Sequence, residues 1–287
     1  MVNSTQIQKV AVLGMGTMGA GIAQVCAASG LDVVVLEATE ARWHDGLGRM
    51  ERFLDEGIRR GKVTPADRDA TLARVRGTVS EHDLAAADLV IEAVSEDLEL
   101  KLELLSRVAE KVRADAIVAT NTSAMSVTEL AVAVQNPERF GGLHFFNPAP
   151  LMPLVEVIGA LQTSEHTLIA LEQIAEVLGK QSIRTKDRPG FLVNRLLMPY
   201  LNQAIQEYDD GLADADDLDA ALELGLGYPM GPLKTLDLIG LDTHLHATTA
   251  AWEQSRDPHL VAPPLLERLV AAGRLGDKSG AGFRSRK

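Results

Sequence analysis

The chain of 287 residues has one cysteine, Cys26. No disulfide can form within it, and no Cys/His cluster has the spacing of a zinc site. A basic excess is also missing: Lys plus Arg number 28 against 40 Asp plus Glu, a formal charge of −12. Non-specific nucleic-acid binding and anionic-membrane binding both need a positive field, so neither is expected. A small polyanionic ligand needs only a local basic patch and stays open. There is no internal repeat, no low-complexity segment and no basic n-region followed by a cleavage site. The run without charge from Val10 to Leu31 is long enough to cross a bilayer. It is interrupted by Gly14, Gly16, Gly19, Gly21 and Gly30, with Thr17, Gln24 and Ser29. A buried strand followed by a buried helix explains that run better, and a cytoplasmic chain without metal is expected.

What is present is an ordinary globular composition, 46% hydrophobic and 24% charged, with length enough for about two domains. The first half alternates short apolar runs with helical patterns. The runs predict strands at Lys9–Leu13, Asp32–Leu36, Val75–Val79, Asp88–Val94 and Ala116–Thr120, with helices such as Met18–Ser29 and Glu96–Val112 between them. Nearly continuous apolar strands belong in a parallel sheet covered on both faces. The rhythm predicts a doubly wound α/β sheet of Rossmann type. Glu40 to Arg74 is too long for one crossover and predicts a helical hairpin insertion, split at Gly61–Pro65 with Thr64 as cap and Pro65 in the first helical turn. Gly141–Phe146 and Leu154–Ile158, joined by a Pro-rich stretch, predict an antiparallel pair. Beyond residue 186 helical periods dominate: Leu196 to Tyr208 with Pro199 inside, then Asp214–Leu224, Pro232–Trp252 and Pro264–Ala272. Residues 1–186 are therefore read as a nucleotide-binding domain and 187–287 as an all-α domain. Pro199 predicts a kinked or shortened helix. The acidic residues among Asp209–Asp219 read as a solvated turn with helix caps.

Gly14-Met15-Gly16-Thr17-Met18-Gly19 directly follows the first strand and opens a helix. Gly14 suits the tight turn, Gly16 lets backbone N–H groups approach a pyrophosphate, and Gly19 lets helix and strand sit close. Glu37, at the end of the next strand, stands where a carboxylate accepts from a ribose diol and repels a 2′-phosphate, which favours NAD over NADP. Arg42 lies nearby and leaves a phosphate partner available. The second constellation is His144-Phe145-Phe146-Asn147-Pro148 with Glu156. If the two strands pair about a centre near Leu151, His144 meets Glu156, and a carboxylate on an imidazole makes a general base. A histidine in an apolar strand is otherwise more often a satisfied core residue.

These two motifs, with Ile91-Glu92-Ala93, Asn121-Thr122-Ser123, Gly190–Arg195, Pro229–Pro232, Asp237–Asp242 and Lys278-Ser279-Gly280 in that order, resemble the L-3-hydroxyacyl-CoA dehydrogenases. The stand-alone 3-hydroxybutyryl-CoA type is the nearest in kind, and the likeness runs from Val10 to Phe283. The resemblance implies NAD-linked interconversion of L-3-hydroxyacyl-CoA and 3-ketoacyl-CoA, in a homodimer with its active site in the cleft between the domains. His144 would be the base, oriented by Glu156, and Ser123 and Asn194 would hold the substrate oxygens. Gly14, Gly16, Thr17, Met18, Gly19, Glu37, Glu92, Asn147 and Lys278 would bind the cofactor, and Arg60 the CoA. Read without the resemblance, Ser123 could simply cap a helix beginning near Ser126, and Asn194 could serve a helix start. Likewise the basic tip Gly57–Lys62 could simply be solvated. Pro153 and Ala124 depart from the family pattern. They leave open a hydroxyacyl group carried on an acyl carrier protein, or a free hydroxy acid, as substrate. A non-catalytic NAD-binding protein is the rival from another class.

Overall fold

The computed structural model describes residues 7–284. Its contacts divide the chain into two units, Met1–Asp187 and Arg188–Lys287.

The first unit is built on one sheet with strand order β3-β2-β1-β4-β5-β6-β7-β8. The strands are β1 (Lys9–Leu13), β2 (Asp32–Leu36), β3 (Val75–Thr78), β4 (Leu89–Glu92), β5 (Ile117–Thr120), β6 (Phe140–Phe145), β7 (Leu154–Gly159) and β8 (Gln181–Lys186). The first six run parallel, β7 turns antiparallel to β6, and β8 follows β7 in parallel. The doubly wound α/β sheet is thus the observed fold. It carries a last strand that was not anticipated: Gln181–Lys186, at the sheet edge, has Ile183 as its one apolar residue, so it has no apolar run to read.

Helix α1 (Thr17–Ala28) packs on the sheet with most of its residues buried. The uncharged run from Val10 to Leu31 is therefore β1 plus α1, and among the described residues no helix is long and apolar enough to cross a membrane. Cys26 lies in that helix, and burial pushes its thiol up to about 12, which leaves it without reactive thiolate. The hairpin forms from α2 (Glu40–Arg59) and α3 (Pro65–Ala73). Thr64 and Asp67 make a reciprocal capping box, with Pro65 in the first turn, so the local sequence alone restarts the helix there. Trp43, Met50 and Leu54 of α2 join the core that surrounds α1, which fixes the base of the hairpin. Helices α4 (Leu98–Ala109), α5 (Val127–Ala131) and α6 (Glu165–Val177) complete the layers on the sheet.

The second unit holds α7 (Val193–Asp209), α8 (Ala215–Leu226), α9 (Pro232–Ile239), α10 (Leu241–Ser255) and α11 (Pro264–Ala271), packed on a core that includes Leu201, Ile205, Leu233, Leu236 and Leu266. Two sequence expectations change here and one narrows. Of the kink or shortening expected at Pro199, the shortening does not occur, since α7 runs on to Asp209. The predicted helix Pro232–Trp252 is two helices, because Gly240 adopts φ +99° and breaks the ladder. The acidic stretch is a solvated turn only in part. Asp214 does cap α8 through the N–H groups of Asp216 and Asp217. Asp219, however, is fully buried and accepts from Leu233 N (2.8 Å) and Lys234 N (3.1 Å), capping α9 from the neighbouring helix. Among the described residues no group of acidic, His or Cys side chains could hold a metal ion.

Candidate active site

The Gly-rich turn sits at the carboxyl end of β1, where a doubly wound sheet offers its crevice. Gly14 has φ +93°, and its N–H donates to Leu36 O at 2.9 Å, so the turn is pinned to β2. A Cβ on Gly19 would lie 2.0 Å from Gly14 O, whereas a Cβ on Gly16 would meet nothing within 4 Å. The two glycines therefore serve different ends. Gly19 is needed by the protein itself, and the open space at Gly16 suits the close approach of a ligand to the backbone at the start of α1. Gly16 and Thr17 are exposed and Met18 is half-buried.

Glu37 follows β2 directly. Its Oε1 accepts from Met15 N at 2.6 Å and its Oε2 from Ala38 N at 3.0 Å. The carboxylate is braced by backbone and keeps lone pairs for a diol. Gly14, Gly16 and Glu37 line a cleft of about 610 Å³, together with Arg42, Val79 and Leu100. The donors, the acid and the apolar walls fit a dinucleotide.

Strands β6 and β7 pair so that His144 stands opposite Glu156. The imidazole Nδ1 lies 2.7 Å from Glu156 Oε2, with the two residues 5% and 0% exposed. An ionised carboxylate only accepts, so against an ionised Glu156 the donor in this contact is the imidazole Nδ1. Asn121 at the end of β5 ties this strand in place by accepting from Phe145 N at 2.8 Å. The Phe146 ring lies 4.7 Å from the imidazole, centroid to centroid. Asn147 follows, joined to Pro148 by a cis peptide bond.

Ser123 does not cap a helix. Ser126 and Asp187 cap α5 instead, Asp187 accepting from Ser126 Oγ, Val127 N and Thr128 N. Ser123 is held by Glu96, whose Oε1 accepts from Ser123 N at 2.9 Å and lies 3.4 Å from Ser123 Oγ. Thr122 Oγ1 also donates to Glu96, at 2.9 Å to Oε2. Sequence reasoning missed Glu96. Glu96 precedes the helix cap Asp97 and looks like one more acid at a helix start. Only the pairing of β4 with β5 brings it to Asn121-Thr122-Ser123.

Glu92 does not open onto the cleft. It is fully buried, its Oε1 accepting from Lys101 Nζ (2.6 Å) and Val94 N (2.8 Å) and its Oε2 from Thr120 Oγ1 (2.6 Å). Arg60 caps the C-terminus of α2, and its Nε donates to Glu56 at 2.6 Å. In the second unit, Asn194 stands in the first turn of α7, and Lys278 Nζ is paired with Asp242, whose carboxyl it holds below the usual range. The geometry thus gathers the Gly-rich turn and Glu37 at one cleft, and His144 with Glu156 in one strand pair, within the first unit. Asn194 and Lys278 belong to the second.

Known proteins resemble the chain over nearly its whole length. The profile described as "3-hydroxyacyl-CoA dehydrogenase, NAD binding domain" matches residues 9–188, and its companion, "3-hydroxyacyl-CoA dehydrogenase, C-terminal domain", matches residues 190–286. A 3-hydroxybutyryl-CoA dehydrogenase of Mycobacterium tuberculosis is 45% identical over 282 residues, covering 98% of this chain and 99% of that one. The mitochondrial hydroxyacyl-coenzyme A dehydrogenase of Sus scrofa is 41% identical over 288 residues, covering 96% and 90%. The crystal structure of (S)-3-hydroxybutyryl-CoA dehydrogenase from Ralstonia eutropha superposes with a TM-score of 0.94 at 42% identity, covering 98% and 99%. The chain belongs to the 3-hydroxyacyl-CoA dehydrogenase family, whose members are NAD-dependent oxidoreductases.

Proposed function

We propose that this enzyme interconverts short-chain L-3-hydroxyacyl-CoA, 3-hydroxybutyryl-CoA in the first place, and the 3-ketoacyl-CoA, with His144 and Glu156 as the base pair. The observation that carries the reading is the 2.7 Å contact between His144 Nδ1 and Glu156 Oε2, buried in the strand pair. Bound NAD supplies the acceptor for the hydride that leaves C3. In the oxidation direction His144 Nε2 takes the proton of the 3-hydroxyl, and the charge that develops on the imidazole is balanced across Nδ1 by Glu156. In reduction the same nitrogen returns the proton to the new alkoxide. Ser123 Oγ, held by Glu96, and Asn194 hydrogen-bond the substrate oxygens, so that the forming carbonyl meets fixed dipoles. Glu37 accepts from the ribose diol, and Asn147 lines the nicotinamide pocket. Lys278 serves the cofactor from the second unit, and exposed Arg60 meets the CoA. Glu92 acts one step behind the pocket, through Lys101.

The short acyl chain rests on the stand-alone 3-hydroxybutyryl-CoA relatives. A homodimer is part of the same reading. Leu196, Leu224, Leu226, Tyr228 and Leu238 are exposed in the second unit, apolar surface that a second copy would cover. The test is NADH oxidation with acetoacetyl-CoA, wild type beside His144→Ala. Turnover by the wild type and a fall of about a hundredfold or more in the variant are expected when a general base is removed. A variant within threefold of wild type would overturn the base assignment.

A further inference from the structure

Lys180 follows α6 through a Schellman turn, in which Gly179 N donates to Glu176 O and Lys180 N to Ala175 O, both at 2.9 Å. The turn directs the side chain inward, where 9% of the residue stays exposed. Nζ donates to Ala149 O (2.8 Å) and Met152 O (2.9 Å) and lies 3.4 Å from Pro150 O. An ammonium has three donors, and three carbonyls of one loop converge on them. That loop joins β6 to β7 and contains Pro148, Pro150 and Pro153, each without an N–H. Two of its remaining donors, Leu151 N and Met152 N, both go to Pro148 O. Neither of those donors reaches the carbonyls at 149, 150 and 152, which take Lys180 Nζ as their partner instead. Holding an ammonium against neutral carbonyls out of water is costly, and burial pushes Lys180 below the usual lysine range. The cation is spent on the shape of one turn. That turn starts at Asn147, lies between the strands of His144 and Glu156, and leans on α1. A Cβ on Gly21 would meet both Ala149 Cβ and Pro150 Cδ at 3.2 Å.

We propose that Lys180 is a positioning residue for the reaction: it clamps the 147–153 turn so that Asn147 meets the nicotinamide end of NAD at a fixed distance from His144. This rests on the reading of His144 and Asn147 given above. Removing the clamp loosens the nicotinamide half of the site and leaves the adenosine half, built by Gly14–Gly19 and Glu37, as it was.

The experiment compares wild type, Lys180→Met and Lys180→Arg in the full chain, measuring the Kd for NADH by fluorescence, the Kd for ADP by calorimetry, and kcat with acetoacetyl-CoA. For Lys180→Met we expect the Kd for NADH to rise about tenfold, the Kd for ADP to stay within twofold, and kcat to fall at least tenfold. If the Met variant does not fold, Lys180→Arg carries the test, since it keeps the charge but not the three-carbonyl geometry, and the same split is expected. Parallel losses of NADH and ADP affinity would make Lys180 structural only and overturn the proposal. So would NADH affinity and kcat both within twofold of wild type. A wild type that binds NADH without reducing acetoacetyl-CoA would defeat the substrate reading, while the split between NADH and ADP would still decide the role of Lys180.

Discussion

His244 makes the acid stability of the second unit a quantitative test. It lies on α10, 4% exposed, with Nε2 2.9 Å from Asn202 Oδ1. Asn202 Nδ2 donates to Thr248 Oγ1 (2.9 Å), which donates in turn to Leu260 O (2.8 Å). Asn202 Oδ1 is thus the acceptor, and the native imidazole is neutral with its proton on Nε2. Burial lowers the histidine from 6.5 to about 4. In the unfolded chain the ring takes up a proton as pH falls through 6.5, and the folded protein refuses it until about 4. The unfolded state holds more protons in that window, so stability present above pH 6.5 is lost as the pH falls toward 4. At about 1.4 kcal/mol per unit, the full loss is about 3 kcal/mol, of which about 2.5 kcal/mol has gone at pH 4.5. His244→Gln keeps an amide donor but cannot titrate. Chemical denaturation of wild type and variant at pH 7 and pH 4.5 removes the carboxylates common to both. The wild type should lose about 2.5 kcal/mol more than the variant over that interval. Equal losses in the two proteins would refute the argument. The network joins α7 to α10 through Asn202, His244 and Thr248.

Two further outcomes follow from the cofactor cleft. Gly19→Ala places a Cβ 2.0 Å from Gly14 O, a backbone atom that cannot step aside; NADH fluorescence titration should show binding lost, with stability lower by about 1–3 kcal/mol or more, and normal NADH affinity in a folded variant would contradict this. Glu37 and Arg42 line the same cleft; on the proposal that Glu37 meets the ribose diol, Glu37→Ser should raise the ratio of kcat/KM for NADPH over NADH about tenfold or more, a single charge contact being worth about 1.4 kcal/mol or more. The NADH reaction should weaken as well, since Met15 N loses its acceptor.

Much of the first unit was legible because its signals are local or arithmetic. A strand, three spaced glycines and an acid after the next strand need no tertiary knowledge to be placed together. The meeting of His144 and Glu156 needed only the assumption that two strands flank a short loop, which the observed register satisfies. Gly240 was missed because one glycine does not interrupt an apolar period, although its φ of +99° interrupts the helix. Asp219 was misread because its partners, the N–H groups at the start of α9, lie fourteen and fifteen residues on. Lys180 and Glu96 escaped for the same reason. Each is an ordinary charged residue near a helix end, and its partners are set by which strands adjoin.

Glu92 shows why such residues sit where they do. A carboxylate at the end of β4, beside the Gly-rich turn, invites assignment to the cofactor. Instead its charge meets Lys101, a lysine as buried as Glu92 itself, on α4. Lys101 Nζ also lies 3.5 Å from Glu96 Oε2, and Glu96 is the group that holds Thr122 and Ser123. The charges alternate along the line: anion on β4, cation on α4, anion before α4, then a neutral hydroxyl at the turn after β5. Without Glu92 a buried ammonium would stand beside one partly exposed carboxylate, and removing one partner of a buried pair costs about 3–5 kcal/mol. Lys101 would then draw Glu96 toward itself and away from the N–H of Ser123. A pair of apolar residues could stabilise this position as well as the ion pair does. It could not hold Glu96 in place. The buried charge thus bears on where a carboxylate points, as the buried ammonium of Lys180 meets three carbonyls of one loop.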